Sequence, residues 1–92
     1  MDIKVLRDQI DQIDEQMANL FVKRMEIVKE VAEYKMSQDL TVYDHTRELE
    51  VIEKNLARIE DPIYKEYYLE VITNLMKVSK EYQKYLILRS TL

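Results

Sequence analysis

Apolar residues recur at alternating steps of three and four along the first 34 residues of the chain. The series consists of Ile3, Leu6, Ile10, Ile13, Met17, Leu20, Ile27, Val31 and Tyr34, and one position in it is occupied by Arg24. Such heptad spacing places one stripe along a helix, so the sequence predicts a single helix from the N-terminus to about residue 36. At about 1.5 Å per residue, this helix would be about 50 Å long.

A helix of this length is longer than the domain to which it belongs. A compact globule of 92 residues has a diameter of roughly 32 Å. The part of the chain after residue 36 is therefore too small to cover the whole apolar stripe. The simplest cover is a second copy of the same chain, so we expect a homodimer.

Two shorter helical segments follow the long one. Asp44 is a candidate N-cap for a second helix, and Asp61 followed by Pro62 predicts the start of a third. Apolar faces at helical spacing are formed by Leu49, Ile52, Leu56 and Ile59, and by Tyr64, Tyr68, Val71, Leu75, Val78, Tyr82 and Leu86. No segment alternates with period two, and no repeat or low-complexity linker divides the chain. The prediction is a single all-α domain over residues 1–92, with a three-helix protomer and a very long first helix.

Charge and composition exclude several classes of function. Lys and Arg number 14 against 18 Asp and Glu, and the net charge of −4 argues against nucleic acid or an anionic membrane as a partner. Cys and Gly are both absent, which argues against thiolate and zinc sites and against glycine-rich phosphate loops. We expect no metal and no cofactor, no membrane span or signal segment, and a reducing, cytoplasmic location.

A basic residue on the apolar stripe is the first candidate for function. Arg24 occupies a heptad position otherwise filled by apolar residues, and a buried guanidinium needs an anion. Lys35 lies about 16 Å further along the helix and nearly on the same side, so both side chains can reach one small anion. Simpler interpretations stay open, because Arg24 can extend to solvent or pair with a glutamate, and Lys35 can stabilise the C-terminal end of the helix dipole.

A third basic residue, Arg7, lies near the start of the same helix. It is about 26 Å from Arg24, which is too far for one site within one chain. An antiparallel second copy that sets residue 7 beside about residue 28 of its partner would bring Arg7 between Arg24 and Lys35. We therefore predict a site that is completed across the dimer. The alternative is that Arg7 forms an exposed pair with Asp11 at i+4.

Two more groups of polar residues follow a helical spacing. Asp44, Arg47 and Glu48 fall at i, i+3 and i+4 at the start of the second helix, which is typical either of a cap with a local ion pair or of part of a site. Ser79 and Gln83 share one row of the third helix. If they are buried, their hydroxyl and amide need hydrogen-bond partners, and otherwise they form a polar helix edge.

The order and spacing of these polar residues resemble the signature of the all-helical chorismate mutases. The matching blocks are LRDQIDQID at 6–14, VAEYK at 31–35 and VYDHTRE at 42–48, with Arg24 after the first block and Ser79 and Gln83 after the last. The resemblance covers essentially the whole chain. It implies an intertwined homodimeric helical bundle with two equivalent active sites, each using an Arg from the neighbour's long helix.

The resemblance also implies an activity, that of an isomerase of aromatic amino-acid biosynthesis. Chorismate would rearrange to prephenate by a Claisen rearrangement that requires no metal, cofactor or covalent intermediate. Such an enzyme captures a flexible dicarboxylate in its compact conformer and stabilises charge on the breaking ether oxygen. Cations and one neutral donor are sufficient for both tasks.

The family pattern assigns a role to each of the polar residues. The partner's Arg7 and Arg24 would bind the two carboxylates, with Arg47 and Ser79 in support. Lys35 and Gln83 would donate to the ether oxygen, so the catalytic set is Arg24, Lys35 and Gln83. The ring hydroxyl would be received by Glu48 and the backbone region of Asp44. An amide at position 83 donates at every ordinary pH, so we expect no acid requirement for activity.

Two other functions stay open on the sequence alone. An isochorismate-pyruvate lyase of the same fold also binds a carboxylated cyclohexadiene in a cationic pocket, although the Asp44 and Glu48 arrangement favours the mutase. A non-enzymatic helical dimerisation module would use Arg24 and Gln83 as polar core residues that set the register. Such a module would bind no dicarboxylate.

Overall fold

Three helices form the whole of the described structure, a computed structural model that describes residues 2–91. They are α1 (Ile3–Ser37), α2 (His45–Ala57) and α3 (Pro62–Ser90). The all-α, three-helix prediction is confirmed, including the very long first helix, which has 35 residues and accounts for the longest dimension of 55 Å. Residues 1 and 92 of the predicted domain lie outside the described residues. The structure contains one chain, so the intertwining of two copies stays a prediction.

Each helix begins at an aspartate that caps it. The side chains of Asp2, Asp44 and Asp61 each accept a hydrogen bond from a backbone N–H two or three residues further on. These bonds satisfy N–H groups that have no partner within the helix. Pro62 follows the last cap at the first helical position, where its missing N–H costs nothing. The predicted starts of α2 and α3 are confirmed.

The long helix ends in a turn with a left-handed residue. Asp39 has a φ of 55°, a conformation that Asp adopts more readily than most residues. The Leu40 N–H then donates to the carbonyl of Lys35 at 2.8 Å, which satisfies one of the last carbonyls of α1. The Lys35 ammonium also donates to the carbonyl of Val42 at 2.8 Å. The connection from residue 38 to 44 is therefore held against the end of α1.

The core lies between α3 and its two neighbours. α3 packs against the C-terminal half of α1 and also against α2. The buried residues are Val28 and Ala32 of α1 and Ile72, Met76, Ser79 and Gln83 of α3. The face predicted for α3 differs, because Tyr64, Val71 and Val78 are exposed. α3 has apolar residues on more than one side, so periodicity alone does not select the side that contacts α1.

The N-terminal half of α1 projects beyond this core. Ile10, Ile13, Met17 and Leu20 are between 55% and 62% exposed, although they belong to the predicted apolar stripe. The single chain leaves the stripe uncovered here and also at Ile27 and Tyr34 in the C-terminal half, because α3 packs on the neighbouring row of Val28 and Ala32. None of the helices in residues 2–91 combines the length and the apolar character needed to cross a bilayer.

Candidate active site

A cavity of about 300 Å³ lies where the C-terminal half of α1, the start of α2 and the middle of α3 meet. Its polar lining consists of Arg24, Lys35, Asp44, Arg47, Glu48, Ser79, Lys80 and Gln83. Ile27, Val28, Val31, Val42, Val51 and Met76 form its apolar lining. The volume is at the lower end of the range of small-molecule sites. Seven of the eight residues selected from the sequence therefore line one cavity.

Arg24 is held in the cavity by α3. Its Nη1 donates to the Oγ of Ser79, and that hydroxyl donates in turn to the carbonyl of Leu75 at 2.9 Å. Ser79 is 6% exposed, so the interpretation of Ser79 as part of a polar helix edge is wrong. Burial, and then the positive charge of Arg47, lower the pKa of Arg24, while Tyr68 acts in the opposite direction. An anion near Arg24 would relieve both unfavourable effects.

Lys35 of α1 and Gln83 of α3 meet at another point along the same two helices. The Lys35 ammonium donates to the Oε1 of Gln83 at 3.1 Å as well as to the carbonyl of Val42. Because an ammonium only donates, the carbonyl side of the amide must face Lys35, and the NH₂ side then faces elsewhere. Gln83 is 7% exposed, so it too lies inside the protein rather than on a polar edge. A cation and a neutral donor therefore stand together at this end of the cavity.

The start of α2 supplies the third wall. Asp44 caps the helix by accepting from the Arg47 N–H at 3.0 Å, as the simpler interpretation predicts. The Arg47 guanidinium donates to Glu50 at 2.7 Å, and the Arg47 side chain is 58% exposed. Arg47 therefore lies at the rim of the cavity with its charge paired to a surface carboxylate. Exposed pairs of this kind are weak, so Arg47 can turn towards a bound anion at small cost.

Lys80 is the one polar residue of the cavity lining that the sequence did not suggest. Its ammonium lies 2.6 Å from the Oε1 of Glu48, and both side chains are partly buried. The predicted ion pair of Glu48 is thus with α3 and not with a neighbour on α2. The sequence of α3 gave no signal for this role, because a lysine on a helix is usually exposed.

Arg7 lies outside this cavity. It is exposed on the N-terminal half of α1, on the part of the helix that α3 does not cover. The distance argument made from the sequence therefore holds within one chain. Whether Arg7 reaches the cavity of a second copy stays a prediction.

The charges around the cavity favour an anion. Four cations, Arg24, Lys35, Arg47 and Lys80, line it against two carboxylates, Asp44 and Glu48. One carboxylate caps α2 and the other pairs with Lys80. The resulting excess of two positive charges in a partly apolar cavity matches a small ligand with two negative charges.

Comparison with known proteins identifies similar sequences. A family model described as "Chorismate mutase type II" matches residues 6–84. A T-protein from Enterobacter agglomerans is 39% identical over 51 residues, which are 55% of this chain and 14% of that protein. A bifunctional chorismate mutase/prephenate dehydratase from Aquifex aeolicus is 33% identical over 63 residues, 68% of this chain and 17% of that protein.

A third relative gives the same result. A T-protein from Haemophilus influenzae is 35% identical over 58 residues, 63% of this chain and 15% of that protein. The matched segments thus span 14% to 17% of the length of these curated relatives. The family model covers the three helices up to residue 84, including every residue that lines the cavity. The chain therefore belongs to the chorismate mutase type II family.

Proposed function

We propose that this protein is a chorismate mutase that rearranges chorismate to prephenate in the cavity between its three helices. In this rearrangement the ether C–O bond breaks while a new C–C bond forms, and no other reactant is consumed. The protein therefore has to fold the substrate into its reactive shape and stabilise the charge that develops on the ether oxygen.

The observation that carries the proposal is the contact between Lys35 and Gln83. The amide oxygen of Gln83 accepts from the Lys35 ammonium at 3.1 Å, which leaves the NH₂ group of Gln83 and the remaining N–H of Lys35 as donors. Two adjacent donors, one charged and one neutral, suit an oxygen that gains negative charge in the transition state. Both side chains are fixed by their mutual bond and by the carbonyl of Val42, so little reorganisation is needed.

The two carboxylates of the substrate need further cations. Arg24 is oriented by Ser79 and offers a planar set of donors that fits a carboxylate. We propose that the second carboxylate is bound by the partner's Arg7 in a homodimer. The uncovered stripe on the N-terminal half of α1 supports a second copy, and the antiparallel register expected from the sequence would bring Arg7 to the cavity.

The test is a direct assay of the purified protein. Loss of the diene absorbance of chorismate should be seen with the wild type, and Arg24→Ala should lower kcat/KM by about 10² to 10³-fold, which corresponds to about 3 to 4 kcal/mol. Lys23→Ala is the matched control, because Lys23 is an exposed neighbour outside the cavity. Equal rates for the two variants would contradict the proposal.

Two further assays separate the alternatives. Release of pyruvate from isochorismate, with no turnover of chorismate, would identify a lyase instead. Binding of neither compound, with a stable dimer, would identify a dimerisation module. The cytoplasmic location is also a proposal, and fractionation of cells that produce the protein would test it.

A further inference from the structure

Lys80 connects three parts of the molecule at the edge of the cavity. Its ammonium pairs with Glu48 of α2 at 2.6 Å. The same ammonium lies 5.4 Å from the centre of the Tyr43 ring, which is within the range of a cation–π contact. Lys80 itself belongs to α3, one residue after Ser79. One side chain thus links α2, α3 and the connection between residues 38 and 44.

The connection is held at adjacent residues by two lysines. Lys35 of α1 donates to the carbonyl of Val42, and Lys80 of α3 lies over the ring of Tyr43. The hydroxyl of Tyr43 is also within 3.0 Å of the Nδ1 of His45. Because Val42 lines the cavity, the position of this segment decides the shape of one wall.

The ion pair with Lys80 also determines how strongly the charge of Glu48 repels a negatively charged ligand. The Glu48 side chain is 23% exposed, so water screens its charge only in part. With Lys80 present, the carboxylate is neutralised and its second oxygen can still accept a hydrogen bond. Without Lys80, the excess positive charge of the lining falls from two to one, and Glu48 repels an anion beside it.

We propose that Lys80 is a positioning residue of this site, which fixes Glu48 and the Tyr43 segment at the cavity wall and lets the cavity accept a dianion. The inference rests on the proposed function and extends it to a residue outside the pattern by which the family is recognised here. Lys80 acts through Glu48 and Tyr43 and does not touch the reacting atoms. Its loss should therefore weaken substrate binding more than it slows the chemical step.

The experiment compares three replacements in the full chain with chorismate as substrate. Lys80→Met should raise KM about tenfold and change kcat less than threefold, while Lys80→Arg keeps the charge and should stay within threefold of the wild type in both. Lys77→Met is the matched control, because Lys77 is exposed one turn earlier on α3 and lies outside the cavity. If Lys80→Met unfolds the protein, Lys80→Gln is the second neutral replacement.

A double-mutant cycle tests whether Lys80 acts through Glu48. In a Glu48→Gln background, Lys80→Met should change KM by less than threefold, because the carboxylate that Lys80 neutralises is then absent. A persistent tenfold effect would overturn the positioning role and make Lys80 a direct substrate contact. Identical KM for Lys80→Met and Lys77→Met, or a lower melting temperature with an unchanged KM, would also overturn it. If the wild type itself leaves chorismate untouched, the proposed function fails first, and the inference fails with it.

Discussion

The two halves of α1 have the same apolar spacing, and only the C-terminal half packs against another helix of the same chain. In the C-terminal half, Val28 and Ala32 are buried against α3, and Arg24 and Lys35 are hydrogen-bonded to it. In the N-terminal half, from residue 3 to 23, no residue is buried. The stripe residues Ile10, Ile13 and Met17 are exposed there, as the stripe residues Ile27 and Tyr34 are in the C-terminal half.

The difference separates what a pattern specifies from what it leaves open. Heptad spacing states which face of a helix must be covered, because exposed apolar area of this size is unfavourable in water. It does not state which part of the molecule covers it. In the C-terminal half, α3 covers the neighbouring row of Val28 and Ala32 rather than the stripe itself, and it brings polar groups that build a cavity. We infer that the stripe, above all in the N-terminal half where no other row is buried, is covered by a second chain, and the following predictions test this.

The largest effect on activity is expected for variants that test whether both halves of α1 contribute to one active site. Arg7→Ala, in the uncovered half, and Arg24→Ala, in the packed half, should each lower kcat/KM by about 10² to 10³-fold. Mixing equal amounts of the two variants and allowing subunit exchange should restore about a quarter of the wild-type activity, because about half of the dimers contain both chains and one of their two sites is intact.

Mass spectrometry of differently tagged chains would verify that exchange has taken place. The matched control is a mixture of Arg24→Ala with Lys35→Ala. Both of these residues line the same cavity of one chain, so every site in the mixed dimer has one lesion and no activity should return. Recovery in the control, or none in the Arg7 mixture after verified exchange, would contradict a site shared between the halves.

A smaller effect on kcat is expected for a change at Gln83, where α3 contacts the C-terminal half of α1. Gln83→Glu would replace a neutral donor by a carboxylate that pairs with Lys35 and donates nothing at neutral pH. We expect kcat at pH 7.5 to fall about a hundredfold and to recover as the pH falls towards about 5, because the introduced carboxyl becomes a donor when protonated. The wild type should change less than about threefold over the same range.

The control for this prediction is Gln38→Glu, the same change at an exposed position outside the cavity. It should keep the flat profile of the wild type. A wild-type rate that climbs steeply from pH 7 to 5 would show that the amide of Gln83 is not the donor that matters.

The sequence predicted the helices well and the contacts between them less well. The starts of α2 and α3 could be predicted because Asp44 and Asp61 cap N–H groups only two or three residues away, an interaction that depends on local sequence alone. That Arg24 and Lys35 reach the same site could be predicted because both belong to one helix, whose rise and rotation per residue are known. The burial of Ser79 and Gln83 was left open, since it depends on which side of α3 contacts α1, a tertiary choice between two apolar rows.

The role of Lys80 could not be derived from its own helix. Its partners Glu48 and Tyr43 are 32 and 37 positions earlier in the chain, and only the packing of α2 on α3 brings them together. A lysine on a helix is usually exposed, so composition and periodicity gave no reason to select it. Long-range pairs of this kind are the part of a site that local patterns do not encode.

The uncovered half of α1 can be tested directly by adding a charge to its stripe. In a lone chain, Ile13 is 56% exposed, so Ile13→Glu should cost less than about 0.5 kcal/mol. Buried against a second copy, the same change should dissociate the dimer and lower the free energy of unfolding by about 2 to 4 kcal/mol per chain. Gln12→Glu adds the same charge beside the stripe and is the control.

Sedimentation velocity would give the mass of each variant, and urea unfolding at two protein concentrations would give the stability. Equal masses and equal unfolding midpoints for Ile13→Glu and Gln12→Glu would mean that the stripe is not an interface. In that case the comparison between the two halves of α1 would lose its explanation, although the cavity in the packed half would be unaffected.

The smallest effect is expected at the exposed rim of the packed region, where Glu50 pairs with Lys54 and Arg47. The hydrogen bond from Lys54, and then the charges of Lys54 and Arg47, lower the pKa of Glu50. A carboxylate whose pKa is lower in the folded state stabilises the fold above its unfolded pKa, and this contribution is lost as the pH falls through the folded value. From about pH 5 to about pH 3, the urea midpoint of the wild type should therefore fall more than that of Glu50→Gln.

The control is Glu53→Gln, which removes an exposed carboxylate on the same helix that forms no salt bridge among the described residues. This variant should follow the wild type. Because Glu50 lies outside the cavity lining and Arg47 is only tethered by it, kcat/KM of Glu50→Gln should stay within about twofold of the wild type. Parallel pH curves for all three proteins would mean that the ion pairs of Glu50 contribute nothing to stability. In that case the rim, like the N-terminal half of α1, would add no stabilising contact within the chain.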